Sequence, residues 1–212
     1  MLYEQHQKFK NNNPFYPKMS LPITREQAIE LLKSMPQEQS DMNHYLETEA
    51  IMKALAKHFS EDQEYWAMIG LLHDVDWSLT KNNWAEHTVK AEQILKEKGF
   101  DDEFIQIVQS HGYGYDEIPG FKDKQRTKKI EYALIASETL TGIIYAYALI
   151  RGRKISDMEV KGLKKRFKEK SFATNCNREL IKEIEKTGLE LSEFFQIAID
   201  AVKEIAEQIG LV

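Results

Sequence analysis

Nineteen consecutive residues, Tyr132–Ile150, carry a single charge, Glu138. A run this long must either cross a bilayer or be surrounded by other protein. Basic residues flank both ends (Lys128 and Lys129, then Arg151, Arg153 and Lys154), so no inside–outside asymmetry marks it as a span. A carboxylate well inside it would be costly in lipid, and Ser137, Thr139 and Thr141 add polarity beside it. The expectation is a central helix wrapped by other helices, with no membrane partner.

The punctuation around it is helical. Thr24–Gln27 reads as a capping box before a helix over 28–34, which Pro36 stops. A second helix is predicted over 41–58, and a third opens near Ser60–Gln63 and carries the chain to His73-Asp74. A fourth starts at Asn83 and ends at Gly99, and a fifth runs from Asp101 to His111-Gly112. The apolar helix follows over 128–150. Ser156–Glu159 reads as a capping box opening a basic helix, and two amphipathic helices near 178–186 and 189–209 close the chain. No segment alternates with period two and no hairpin dipeptide occurs, so the fold class is all-α. The expected organisation is an N-terminal arm over 1–22, a core over 23–155 and a C-terminal helical extension over 156–212 packed on it.

Net charge is −5, which argues against nucleic acid as a partner. The cations are concentrated, however: residues 151–170 hold nine Lys or Arg against three acids, a local +6 that leaves −11 elsewhere. That stretch reads as a solvated helix face or as an electropositive rim for a phosphorylated substrate. The single cysteine, Cys176, excludes an internal disulfide and fits a reducing cytosol, and no secretory leader pattern opens the chain. Nothing in the sequence excludes a homo-oligomer.

Four of the six histidines form an ordered series: His44, His73 beside Asp74, His87 and His111, followed by Glu138. Imidazoles and carboxylates are the ligands of borderline divalent metals. Placed near helix ends, ligands from several helices can converge on one pocket. Gly142, one turn beyond Glu138, leaves room beside the carboxylate. His58 lies 14 residues after His44 on the same predicted helix. That puts it about 21 Å away and outside the set. His6 falls in the arm and is also excluded.

His44 … His73-Asp74 … Glu138 resembles the H…HD…D signature of the HD-domain superfamily of metal-dependent phosphohydrolases. Gly70–Trp77 is similar to that family's LLHDI segment, and Ala136–Gly142 to its ADxLTG segment. His87 and His111 match the two additional histidines of members with dinuclear sites. The resemblance implies a helical bundle in which His44, His73, Asp74 and Glu138 hold one ion, with Asp74 reaching a second on His87 and His111. One or two divalent transition-metal ions are expected, iron or manganese first by ligand type, with zinc or nickel compatible. The family's last ligand is Asp, whereas this chain has Glu138, and the extra methylene moves the carboxylate by about an ångström.

The implied activity is hydrolysis of a small phosphoester or phosphoanhydride, nucleotide-like, through a metal-activated water. The alternative is a regulatory protein that binds metal and nucleotide without turnover, because of Glu138. Besides Asp74, Asp76 and Glu86 are candidate catalytic groups that orient ligands or shuttle protons. Lys161, Lys165 and Arg178 are candidates for gripping the substrate phosphate. Tyr113, Tyr115 and Phe121 form either a lid over a base or loop aromatics packed on the core.

Overall fold

The computed structural model describes residues 20–212; the expected N-terminal arm and His6 lie mainly or wholly outside that range. Ten α-helices follow in chain order: α1 Arg25–Lys33, α2 Gln39–Phe59, α3 Gln63–Leu72, α4 Trp77–Thr80, α5 Val89–Glu97, α6 Asp102–Gln109, α7 Lys129–Ile150, α8 Val160–Lys168, α9 Arg178–Lys182 and α10 Leu191–Glu204. Short 3₁₀ turns lie at 84–86, 110–112, 183–187 and 206–209. Among the described residues there is no strand, so the fold is all-α.

Several predicted boundaries are met. Thr24 closes a reciprocal capping box with Gln27, and Asp62 and Asp101 accept from the backbone at the starts of α3 and α6. Two differ. The predicted fourth helix begins only at Val89, because Thr88 adopts φ +64 and interrupts the chain between the 84–86 turn and α5. His87 therefore sits in extended backbone (φ −61°, ψ 139°), not in a first helical turn. The basic helix begins at Val160 behind Glu159, one turn later than a Ser156 cap would place it.

α2 and α3 form a hairpin whose tightest point is Gly70. A Cβ there would stand 2.8 Å from the Thr48 carbonyl oxygen, so only glycine lets the two backbones meet. α7 packs across α2 and α3. It is long and apolar enough to cross a bilayer, but it runs through the interior, with Ala133–Ser137, Leu140 and Ile143–Ile144 buried. α8 and α10 cover α7 and α2, and their Leu163, Phe194, Phe195 and Ile199 belong to the same apolar cluster as Tyr45, Ile51, Leu71 and Leu134. Burying side chains of this size contributes about 1.5–3 kcal/mol each relative to exposure, before the entropy of ordering them.

Arg178 departs from the sequence reading. Its guanidinium donates to five backbone carbonyls, of Phe167, Glu169, Phe172, Ala173 and Cys176. It folds the 169–177 loop around itself and has no spare face for a substrate phosphate. Arg178→Ala strands those acceptors. We expect a loss of about 3 kcal/mol in urea denaturation, with Arg178→Lys recovering only part of it because an ammonium has three donors.

Candidate metal centre

The ligand-type residues converge because α2, the end of α3, the segment before α5 and the end of α6 all point at one carboxylate. Asp74 follows α3 directly. Its Oδ2 lies 3.7 Å from His44 Nε2 and 3.6 Å from His73 Nε2, and its Oδ1 lies 3.4 Å from His87 Nε2 and 3.2 Å from His111 Nε2. Two trios result, His44–His73–Asp74 and Asp74–His87–His111, each with its donor atoms within 4.8 Å of one another. Asp74 belongs to both.

Each imidazole has its tautomer assigned by the partner of its other nitrogen. His73 Nδ1 is 2.7 Å from the Gly70 carbonyl and His111 Nδ1 is 2.6 Å from the Val108 carbonyl; a carbonyl only accepts, so both Nδ1 atoms carry the hydrogen. His87 Nδ1 donates to the Asp76 carboxylate at 3.2 Å. His44 Nδ1 stands 2.9 Å from Thr141 Oγ1, whose own hydrogen goes to the Glu138 carbonyl, so this hydroxyl accepts as well. All four Nε2 lone pairs therefore face inward. His44 Nε2 is 3.1 Å from His73 Nε2, and His87 Nε2 is 3.1 Å from His111 Nε2. Two lone pairs at that distance repel unless a proton or a cation lies between them. Nitrogen ligands about 2.0–2.1 Å from one tetrahedral ion stand about 3.3 Å apart. The donor set and its spacing fit a divalent cation on either side of Asp74.

The electrostatics agree. Burial drives the His73 pKa down to about 3 and lowers His44, so both rings are neutral ligands at pH 7. Burial opposes ionisation of Asp74, but the surrounding imidazoles outweigh it and hold the carboxyl well below its usual range. His111 is shifted upward despite burial, because Asp74 stabilises a proton on the atom that a cation would otherwise engage.

The other candidates divide. Asp76 is fully buried; it accepts from His87 Nδ1 and from the Ala91 amide, and so fixes the His87 ring. Thr80, whose hydroxyl donates to the Asp76 carbonyl, closes the same corner. Glu138 joins neither trio: its Oε1 accepts from Thr139 Oγ1 at 2.9 Å. Burial, reinforced by Asp74, pushes its carboxyl up to about 7, with His111 and Arg126 pulling the other way. The space beside Gly142 is not open, since a Cβ there would meet Cys176 Sγ at 2.6 Å. Glu86 pairs with Lys90, and Lys161 and Lys165 are exposed on α8 without an ion pair among the described residues. His58 is paired with Glu193, apart from the cluster.

Tyr113 and Phe121 pack edge-on against each other, whereas Tyr115 turns toward Trp84 and into the field of Glu138 and Asp74. Trp84 itself is 41% exposed and lies 5.8 Å, ring to ring, from His87. Thr141, Trp84 and the carbonyls of Gly70 and Val108 were given no role by the sequence reading. Thr141 alone had a visible signal, in the segment 136–142.

The HD domain family model matches residues 42–139, which include His44, His73, Asp74, His87, His111 and Glu138. Neither curated proteins nor solved structures yield a match to the chain. With four inward-facing imidazoles gathered on one His-Asp carboxylate inside that segment, the match of residues 42–139 to the HD domain is consistent with the HD-domain superfamily of metal-dependent phosphohydrolases.

Proposed function

We propose that the chain is a metal-dependent phosphohydrolase with two divalent transition-metal ions. His44, His73 and Asp74 would hold one, and Asp74, His87 and His111 the other. The observation that carries this reading is the shared carboxylate with four inward Nε2 lone pairs. Bound there, the metals would supply a water acidic enough to attack near neutral pH and positive charge for phosphate oxygens.

The chain's own residues supply position and proton traffic. Asp76 holds the hydrogen of His87 Nδ1 and keeps its Nε2 aimed at Asp74. Thr141 does the same for His44. Glu138, a buried carboxyl at the edge of the cluster, is placed to take up or pass on a proton. The substrate would be a small phosphoester or phosphoanhydride. A nucleotide-like one is supported by Trp84 and Tyr115, which set flat aromatic surface beside His87. Lys161 and Lys165 would act only by attracting an anion from a distance.

Elemental analysis of protein purified without affinity-tag metals tests the site. Two transition-metal equivalents per chain are expected, falling to one in His87→Ala, together with phosphate release from a phosphoester panel. Absence of metal after reconstitution overturns the reading. One observation favours a second function: Glu138 is turned onto Thr139 and stands outside the ligand spacing. A regulatory protein that binds metal and nucleotide without turnover would show both equivalents and no phosphate release from any substrate.

A further inference from the structure

Behind the turn that carries His111, a cleft of about 530 Å³ opens between the 113–126 loop and the 3₁₀ turn at 183–187. None of the five clustered residues, His44, His73, Asp74, His87 and His111, lines it. Its cations are Lys122, Lys124, Arg126 and Lys186, and its carboxylates are Asp123 and Glu183. Glu183 is already spent, accepting from Arg126 Nε at 2.7 Å and Nη2 at 3.3 Å, with Lys186 3.3 Å away. Lys124 rests over the rings of Phe121 and Tyr113, and Lys122 reaches Asp116. In a chain of net charge −5, two separate elements thus bring their cations to one concavity.

Arg126 connects that concavity to the cluster. Its side chain is 7% exposed, and Nη1 donates to the carbonyls of Ser110 and Tyr113 at 2.9 Å each, one on either side of His111-Gly112. Tyr132 Oη in turn donates to the Arg126 carbonyl, holding the residue from below. The same guanidinium therefore lines the cleft and clamps the turn that aims His111 at Asp74.

We propose that this cleft is a second ligand site, for a small phosphate-bearing anion, and that Arg126 carries its occupancy to His111. The volume falls in the range of small-molecule pockets. A planar guanidinium with lysines around it is the arrangement that recognises phosphate. An anion here competes with Glu183 for Arg126 and Lys186. The guanidinium's hold on the Ser110 and Tyr113 carbonyls changes with it, and so does the placement of the His111 ring. By reciprocity, whatever ties down His111 also alters affinity at the cleft. The proposal does not depend on the hydrolase reading, because its test uses protein stripped of metal.

Inorganic phosphate is titrated into the metal-free full chain while amide and histidine ring resonances are followed by NMR. Saturable shifts at Tyr113, Lys124 and Lys186 are expected, with the His111 ring moving along the same isotherm. Lys124→Glu combined with Lys186→Glu should weaken binding by about tenfold or more. Arg126→Lys should weaken phosphate binding, and at saturation it should no longer move His111. The site is overturned if wild type does not saturate or if the double charge reversal binds equally well. It is also overturned if the shifts centre on His44 and His73 and survive that reversal, which places the anion on the imidazoles. The coupling is overturned if His111 stays still in wild type or still moves in Arg126→Lys; should that variant not fold, the wild-type and lysine arms decide alone.

Discussion

Asp74→Ala is expected to empty both metal positions at once, and elemental analysis after reconstitution checks it. Each of the four imidazoles serves one trio, but Asp74 faces His44 and His73 with one oxygen and His87 and His111 with the other. Without it, two pairs of imidazoles confront two cations with no negative charge between them, in a pocket where burial penalises uncompensated charge. Phosphate release should fall by roughly 10³-fold or more, the scale on which groups stabilising transition-state charge act. Asp74→Asn separates charge from shape. Its amide keeps the volume and offers one neutral oxygen, so metal content should drop nearly as far while the fold persists. Retention of either full equivalent in Asp74→Ala would contradict a shared bridging ligand.

The second large effect is on stability. In metal-free protein the Glu138 carboxyl is pushed from an ordinary 4.5 up to about 7, first by burial and then by Asp74. The folded state thus keeps a proton that the unfolded chain gives up. The associated stability is fully present below pH 4.5 and is lost as the pH rises toward 7, by up to about 3 kcal/mol. His73 works in the opposite sense. Held neutral down to about 3, it adds stability as the pH rises toward 6.5. The two overlap, so wild type alone is a poor witness. Glu138→Gln removes only the first contribution. The difference in unfolding free energy between wild type and Glu138→Gln, measured by urea denaturation, should move against wild type between pH 4.5 and 7. A flat difference would mean that Glu138 is solvated and already ionised.

Much of this was legible along the chain. Helix caps at Thr24 and Asp101 are local chemistry and are readable as such, whereas the Ser60–Gln63 box resolves into Ser60 ending α2 and Asp62 capping α3. The histidine series was readable from its order along the chain and its resemblance to the H…HD…D signature. Asp76 was a reasonable suspect because it lies two residues beyond the His-Asp pair. What failed was long-range. Arg178 sits near a lysine-rich stretch and looks like a phosphate anchor, but carbonyl oxygens are acceptors too, and only the folded loop shows which acceptors it meets. The room expected beside Gly142 is filled by Cys176, 34 residues further on. His87 was assigned to a helix because nothing in its neighbours announces the left-handed Thr88. The direction of the Glu138 carboxylate is a rotamer choice, and no spacing rule encodes it.

His73 and His111 share one local device: each gives its Nδ1 hydrogen to the carbonyl three residues earlier. The readiness of these rings is thus written into a single turn of chain and does not wait for distant partners. A loosened or half-assembled state of the protein would still present both nitrogens with their lone pairs available. A cation that binds there would need the packed bundle only to bring the two rings to Asp74.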